Sequence, residues 1–220
     1  MGEDLFYRSR RRLALPLVLT LWAGGIALGL SLLWRYQATP GITARAPAHW
    51  PENSRLERHA GLPTLVLFLH PHCPCSRATL QELNKLMTRC HDRVACTALL
   101  LRPAGLSDEW ARTDLWYTAA AIPQVKVLVD AEGVEARRFG AATSGQALLY
   151  TTDGKLAYTG GLTFARGEEG DNAGRAALTA LILADEGQRG PDSARESVYG
   201  CALFDAPAKA VAKDARRCGN

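Results

Sequence analysis

Hydrophobic and polar positions fall into three regimes along the chain. From Leu13 to Trp34 no side chain is ionisable, and a helix rising about 1.5 Å per residue over that run crosses a hydrocarbon core of roughly 30 Å. From Thr64 onward short apolar runs alternate with segments of helical period, and after Gly190-Pro191 the periodicity fades. The first regime predicts a transmembrane anchor over 13–34, preceded by a cytoplasmic N-terminus over 1–12. Arg8, Arg10, Arg11 and Arg12 precede it while only Arg35 follows closely. That bias puts the rest of the chain on the periplasmic, extracytoplasmic side of an inner membrane. A signal peptide cleaved near Ala44-Arg45-Ala46 is the rival, but the apolar run is longer than an ordinary signal core and stops well before that tripeptide. Residues 35–60 carry Pro40, Gly41, Pro47 and Pro51 without periodicity and read as a linker. Residues 61–190 then suit one domain, and 191–220 a C-terminal tail.

Within the domain, Thr64 to Leu69 is a continuous apolar run between Pro63 and Pro71, which suits a central strand covered on both faces. Leu80, Leu83, Leu86 and Met87 recur at helical spacing and predict an amphipathic helix over 75–89. Val94 to Leu101 reads as a second strand and Val125 to Val129 as a third. Between them Ser107 is positioned to cap a helix running to about Ala121, with Trp110, Thr113 and Trp116 or Tyr117 on one face. A short helix over 134–139 follows. Strands over 146–151 and 156–159 flank the turn residues Asp153-Gly154, a hairpin signal. Asp171 or Asn172 caps a last helix over 173–185, with Ala177, Leu178, Leu181 and Ile182 inward. Strands alternating with helices and closing on a hairpin plus helix predict an α/β domain with a mixed sheet.

Composition adds exclusions. The 220 residues are 47% hydrophobic and 22% charged, which rules out collagen, coiled coil and wholesale disorder. The net charge of +4, clustered only at the start, gives no reason to expect nucleic acid. The chain has no Gly-rich phosphate loop and no evident catalytic pair of carboxylates.

Chemistry concentrates where the first strand ends, in His70-Pro71-His72-Cys73-Pro74-Cys75-Ser76-Arg77. A helix N-terminus offers unpaired N–H groups and the positive end of a dipole, both of which favour a thiolate. Pro74 suits the first helical position, which leaves Cys73 beside the N-cap and Cys75 within the first turn. Cys73 is then the more exposed sulfur and the nucleophile, and Cys75 the resolving thiol.

These residues resemble the thioredoxin-like superfamily, over about Thr64 to Asp185. Phe68-Leu-His-Pro-His-Cys73-Pro74-Cys75 is similar to the family's Phe-Trp-Ala-Pro-Trp-Cys-Gly-Pro-Cys with one residue missing between the cysteines. Pro123 to Gly133, Phe139-Gly140 and Ala147 to Gly154 follow the order of the membrane-anchored TlpA and ResA type, and Cys-Pro-Cys resembles a RedB-like subgroup. The resemblance implies a three-layer α/β fold and a thiol-disulfide oxidoreductase that works outside the cytoplasm without a cofactor, exchanging electrons with an exported protein thiol or disulfide. Two departures stand out. Cys-x-Cys closes a smaller, strained ring, which raises the reduction potential and leaves the direction of electron flow open. Where the family places a cis-proline opposite the cysteines, this chain has Gly145, which permits unusual backbone angles without enforcing a cis bond.

A metal carrier is the alternative, with His70, His72, Cys73 and Cys75 binding copper or zinc. Side chains alternate along an extended segment, however, so the two histidines can share a face from which Cys73 points away. Cys90 and Cys96 flank a turn and are spaced for a structural disulfide. Cys201 pairs with Cys218, or instead folds back onto Cys73 as a third redox thiol. His70, His72 and Arg77 can add positive charge near the sulfurs. Arg166, Glu168 and Glu169 fit capping and solubility, and Trp110, Trp116 and Tyr117 fit a core or groove wall.

Overall fold

The computed structural model describes residues 3–42, 45–184 and 193–204. The chain forms two compact units, residues 1–39 and 40–220. The first is a single helix, α1 (Glu3–Ala38), within which Ala14–Ala38 is long and apolar enough to cross a membrane, at a mean hydropathy of 1.9.

The second unit is built on a six-stranded sheet. In chain order its elements are β1 (Thr64–Leu69), α2 (Ser76–Cys90), β2 (Ala95–Arg102), α3 (Asp114–Ala120), β3 (Val125–Ala131), α4 (Val134–Arg138), β4 (Gln146–Tyr150), β5 (Leu156–Gly160), α5 (Ala173–Leu183) and β6 (Ala194–Arg195). The strand order is β3-β2-β1-β4-β5-β6. The first three strands run parallel because helices carry the chain back between them, whereas β4 lies antiparallel to β1 and β5 to β4 across the expected hairpin. All six residues of β1 are buried, as its unbroken apolar run predicts. Alternation sorts them into two cores. Leu65, Leu67 and Leu69 pack with Leu80, Leu83 and Leu86 of α2, Leu115 of α3, and Leu178 and Ile182 of α5. Val66 and Phe68 pack on the opposite face with Phe139, Leu148 and Tyr150. This is the predicted three-layer arrangement around a mixed sheet.

Several expectations are corrected. The helix expected from Ser107 to Ala121 is broken into a 3-10 turn at Asp108–Trp110 and α3, and Ser107 makes no capping hydrogen bond through its side chain. The break lets Thr113 donate to the Pro71 carbonyl at 2.9 Å and lets Trp110 turn toward His70 and His72. Tyr117 is exposed, while Trp110 and Trp116 border the core. Asn172, one of the two proposed caps, accepts from the Arg175 N–H at 2.7 Å. Cys90 and Cys96 are both buried and free, so that expected disulfide is absent.

The described residues of the stretch read as a linker pack on the domain from Pro40 onward. Gly41 N–H donates to the Val198 carbonyl, His49 bridges Lys155, and Trp50 packs edge-on against Phe139 and Tyr150, whose hydroxyl donates to the Pro47 carbonyl. Its missing periodicity reflects a strap lying over one sheet face, where single side chains, not a repeating stripe, make the contacts. The described part of the tail is ordered in the same way. β6 adds a parallel strand to β5, Val198 and Leu203 are buried, and Ala202 bridges Thr143.

Candidate functional site

β1 delivers the chain to the site. After Leu69 a turn through His70-Pro71-His72 closes with the Cys73 N–H donating to the His70 carbonyl at 3.1 Å. Pro74 and Cys75 form a further turn, in which the Ser76 N–H reaches the Cys73 carbonyl at 3.0 Å. Cys75, not Cys73, is therefore the N-cap of α2, and Pro74 precedes the first helical position by two residues. The shift follows from the tight turns at 71–72 and 74–75, which delay the helix. Cys73 is also the less exposed residue, at 1% against 9% for Cys75, contrary to expectation.

What covers Cys73 is the tail. Its Sγ lies 2.8 Å from Cys201 Sγ, and the sulfurs of Cys73, Cys75 and Cys201 all lie within 4.8 Å of one another. Cys201 is held there by its backbone: its carbonyl accepts from the Ser144 N–H at 2.8 Å, and the Leu203 N–H donates to the Ala142 carbonyl at 2.9 Å. Ser144 ties the site together. Its hydroxyl lies 2.8 Å from the Ser76 hydroxyl and accepts from the His70 N–H at 2.8 Å.

Gly145, expected opposite the cysteines, takes a φ of +92°, and its N–H donates to the Phe68 carbonyl at 2.7 Å. A Cβ there would meet the Thr79 hydroxyl at 3.0 Å, so glycine serves both the backbone angle and the close approach. No cis peptide occurs among the described residues.

The three thiols are electrostatically unequal. Burial opposes ionisation of Cys73, but hydrogen bonds from the Cys201 side chain and backbone, the Ser76 hydroxyl and the Cys75 N–H outweigh it, and the thiol is held below its usual value. Cys75 is raised by burial and then by the neighbouring Cys73. Cys201 is pushed up to about 12 by burial, by its hydrogen bond to Cys73 and by the charges of Cys73 and Cys75. Arg166 pulls both Cys75 and Cys201 down. Cys73 is thus the most acidic thiol of the cluster.

His70 and His72 do not join the sulfurs. They pack against Trp110 at ring-centroid distances of 5.8 and 4.5 Å, and the metal-competent cluster found among the described residues is three thiols without imidazole. Arg77 pairs with Asp114 at 2.6 Å on the surface. Arg166, expected in a solubility role, instead donates to the Gly200 carbonyl beside the site. Cys201, Arg166, Ser144 and Ser76 complete the constellation. A signal for Cys201 does exist in the sequence: Val198-Tyr-Gly-Cys-Ala-Leu-Phe204 is an apolar island in an otherwise charged tail. Nothing local marks Ser144 or Arg166. Cys218 lies outside the described residues.

Strand order, helix placement and a dithiol at the head of the first domain helix define a thioredoxin-like fold. Among solved structures the chain is similar to an uncharacterized conserved protein from Geobacillus kaustophilus, at 21% identity over 78% of this chain and 94% of that one, with a TM-score of 0.53. It is similar also to a hypothetical protein from Sinorhizobium meliloti, at 20% identity over 76% and 96%, with a TM-score of 0.51. A secreted Mycobacterium tuberculosis disulfide oxidoreductase homologous to E. coli DsbE is matched at 18% identity over 57% and 83%, with a TM-score of 0.40. No protein-family model matches the sequence, and no curated protein matches it.

Proposed function

We propose that this protein is a membrane-anchored thiol-disulfide oxidoreductase, held by Ala14–Ala38 with its thioredoxin-like domain outside the cytoplasm, where it exchanges electrons with an exported protein. The observation that carries the reading is the convergence of thiols at the head of α2: the Cys73 sulfur lies 2.8 Å from that of Cys201 and within 4.8 Å of that of Cys75, and hydrogen bonds favour the ionised form of Cys73 while burial disfavours that of Cys75. An acidic thiolate beside a protonated thiol is what exchange requires. Cys73 attacks a substrate disulfide and releases one substrate thiol. A second thiol of the cluster then attacks Cys73, releases the other substrate thiol and leaves a protein disulfide. The resemblance to the TlpA and ResA type assigns that second step to Cys75. Reduction of the protein disulfide by a partner dithiol completes a cycle, and the reverse sequence would oxidise a substrate.

The test is a redox-buffer titration of the full chain in detergent, with thiols trapped and counted by mass spectrometry. We expect a reversible two-electron transition between about −120 and −300 mV, the span of catalytic dithiols, and its loss in Cys73→Ser. Full disulfide-reductase activity in Cys73→Ser would refute the reading.

A second reading, a copper or zinc carrier, draws on one observation, the three converging sulfurs. Three thiolates suit Cu(I) better than zinc, which prefers four ligands. The ligands would be Cys73, Cys75 and Cys201, without His70 and His72.

A further inference from the structure

Cys201 stands 128 positions from Cys73 in sequence, yet its sulfur is 2.8 Å from the Cys73 sulfur. Such an approach could be incidental if the tail were loosely laid. It is not. Two buried side chains, Val198 and Leu203, bracket the segment. The Glu196 N–H donates to the Thr159 carbonyl at 3.0 Å, the Gly161 N–H to the Ser197 carbonyl at 3.2 Å, and the Ser144 N–H to the Cys201 carbonyl at 2.8 Å. At Gly200 even a methyl group is excluded, since a Cβ would stand 2.0 Å from the Ser144 carbonyl oxygen. The tail segment 196–203, strapped onto the sheet by these contacts, therefore specifies where the Cys201 sulfur sits. Cys75, by contrast, is separated from Cys73 by one residue, and a disulfide between them would close a ring smaller than that of the usual Cys-x-x-Cys pair. A bond from Cys73 to Cys201 carries no such ring constraint.

From this geometry we infer that Cys201 is the resolving thiol of the site, and that the redox-active disulfide joins Cys73 to Cys201. The inference rests on the oxidoreductase reading and changes its second step. The Cys73 thiolate attacks a substrate disulfide, forming a mixed disulfide and expelling one substrate thiolate, which takes up a proton. Cys201, giving up its proton, attacks the Cys73 sulfur, forms the Cys73–Cys201 bond and expels the second substrate thiolate. One substrate disulfide becomes two thiols, and two protein thiols become one disulfide. A partner dithiol returns the protein to its reduced state by the same exchange. Cys73 also lines a groove with Pro71, His72, Pro74, Arg77, Asp114 and Leu115, on which a substrate could dock.

The experiment uses the full chain in detergent, in a Cys218→Ser background, reduced and then mixed with one equivalent of the aromatic disulfide dithiobis-nitrobenzoate. The parent releases two equivalents of nitrothiolate, one on attack and one on resolution. We expect Cys75→Ser to release both, and Cys201→Ser to stop after the first with a stable adduct on Cys73. Peptide mapping of the oxidised parent, which needs no cluster variant, yields Cys73 linked to Cys201. A Cys73–Cys75 bond in that map, with two equivalents from Cys201→Ser and one from Cys75→Ser, overturns the inference and leaves the oxidoreductase reading standing. Release unaffected by Cys73→Ser, or no second release from the parent, defeats that reading itself.

Discussion

Gly200 and Ser144 touch so closely that glycine is the residue that fits: a Cβ on Gly200 would lie 2.0 Å from the Ser144 carbonyl oxygen and 3.4 Å from the Thr143 side chain. This contact seats the strap that carries Cys201. Gly200→Ala should therefore lift the segment around Cys201 locally without unfolding the sheet, since the pairings of β1 to β5 with one another do not involve Gly200. Cys201 alkylates faster in this variant than in the parent, and circular dichroism stays unchanged. Equal alkylation rates in variant and parent would mean that the contact does not hold the strap.

The acidity of Cys73 rests partly on the Ser76 hydroxyl. A hydrogen bond to a charged group is worth about 1.5 kcal/mol, which corresponds to about one pH unit in the acidity of the group it serves. Ser76→Ala removes it while leaving the strap in place. The midpoint of the pH profile for Cys73 alkylation should move up, so a smaller share of Cys73 is thiolate at a given pH. An unmoved midpoint would assign the acidity to the backbone donors and Cys201 alone.

How much of this was legible in sequence depends on the range of the contact. β1, α2 and the hairpin of β4 and β5 follow from runs, periods and turn residues that are local, and their bounds match to within a residue or two. The break before α3 was not legible, because it serves a hydrogen bond from Thr113 to the Pro71 carbonyl 42 positions away. Cys73 and Cys75 announced themselves by spacing. Their order of exposure did not, since Cys201 stands against Cys73, and the sequence leaves its fold-back open beside a pairing with Cys218. Ser144 carries no local signal beside Gly145, although it is the residue that ties the end of β1, α2 and the segment around Cys201 together.

Arg166 joins the strap to the sulfurs, donating to the Gly200 carbonyl and pulling Cys75 and Cys201 toward ionisation. Its charge helps the thiol that must lose a proton in the second step. Arg166→Met should slow release of the second thiol about fivefold at neutral pH, the effect of roughly 1 kcal/mol from a partly solvated charge. The first step is left nearly unchanged. Arg166→Lys keeps the charge and should recover most of the rate, and added salt should narrow the gap between parent and Arg166→Met. If both steps slow equally, Arg166 acts by placing the strap and not by charge.

Glu82 explains why the Arg166 loop stays where it is. This carboxylate of α2 is fully buried yet accepts from Lys85 at 2.7 Å, from Arg175 at 2.5 Å, from the Gly170 N–H at 3.0 Å and from Asn172 at 3.3 Å. It thereby pins the segment between β5 and α5 to the helix that follows Cys75. Burial alone would raise its pKa, but the hydrogen bonds from Lys85, Gly170 and Arg175 prevail and hold it below its ordinary 4.5. A carboxylate held low in the folded state contributes stability that is present above about pH 4.5 and is lost as pH falls through the folded value. Arg175→Ala strips a partner from a buried charge and should cost about 3 kcal/mol in urea unfolding at neutral pH. Glu82→Gln removes the charge itself, so its stability should vary less than the parent's on acidification below about pH 5. It should also free the loop and weaken the preference for Arg166 at the sulfurs, which slows the second thiol release. Parallel stability profiles for parent and Glu82→Gln over that range would show that Glu82 is not the group that titrates.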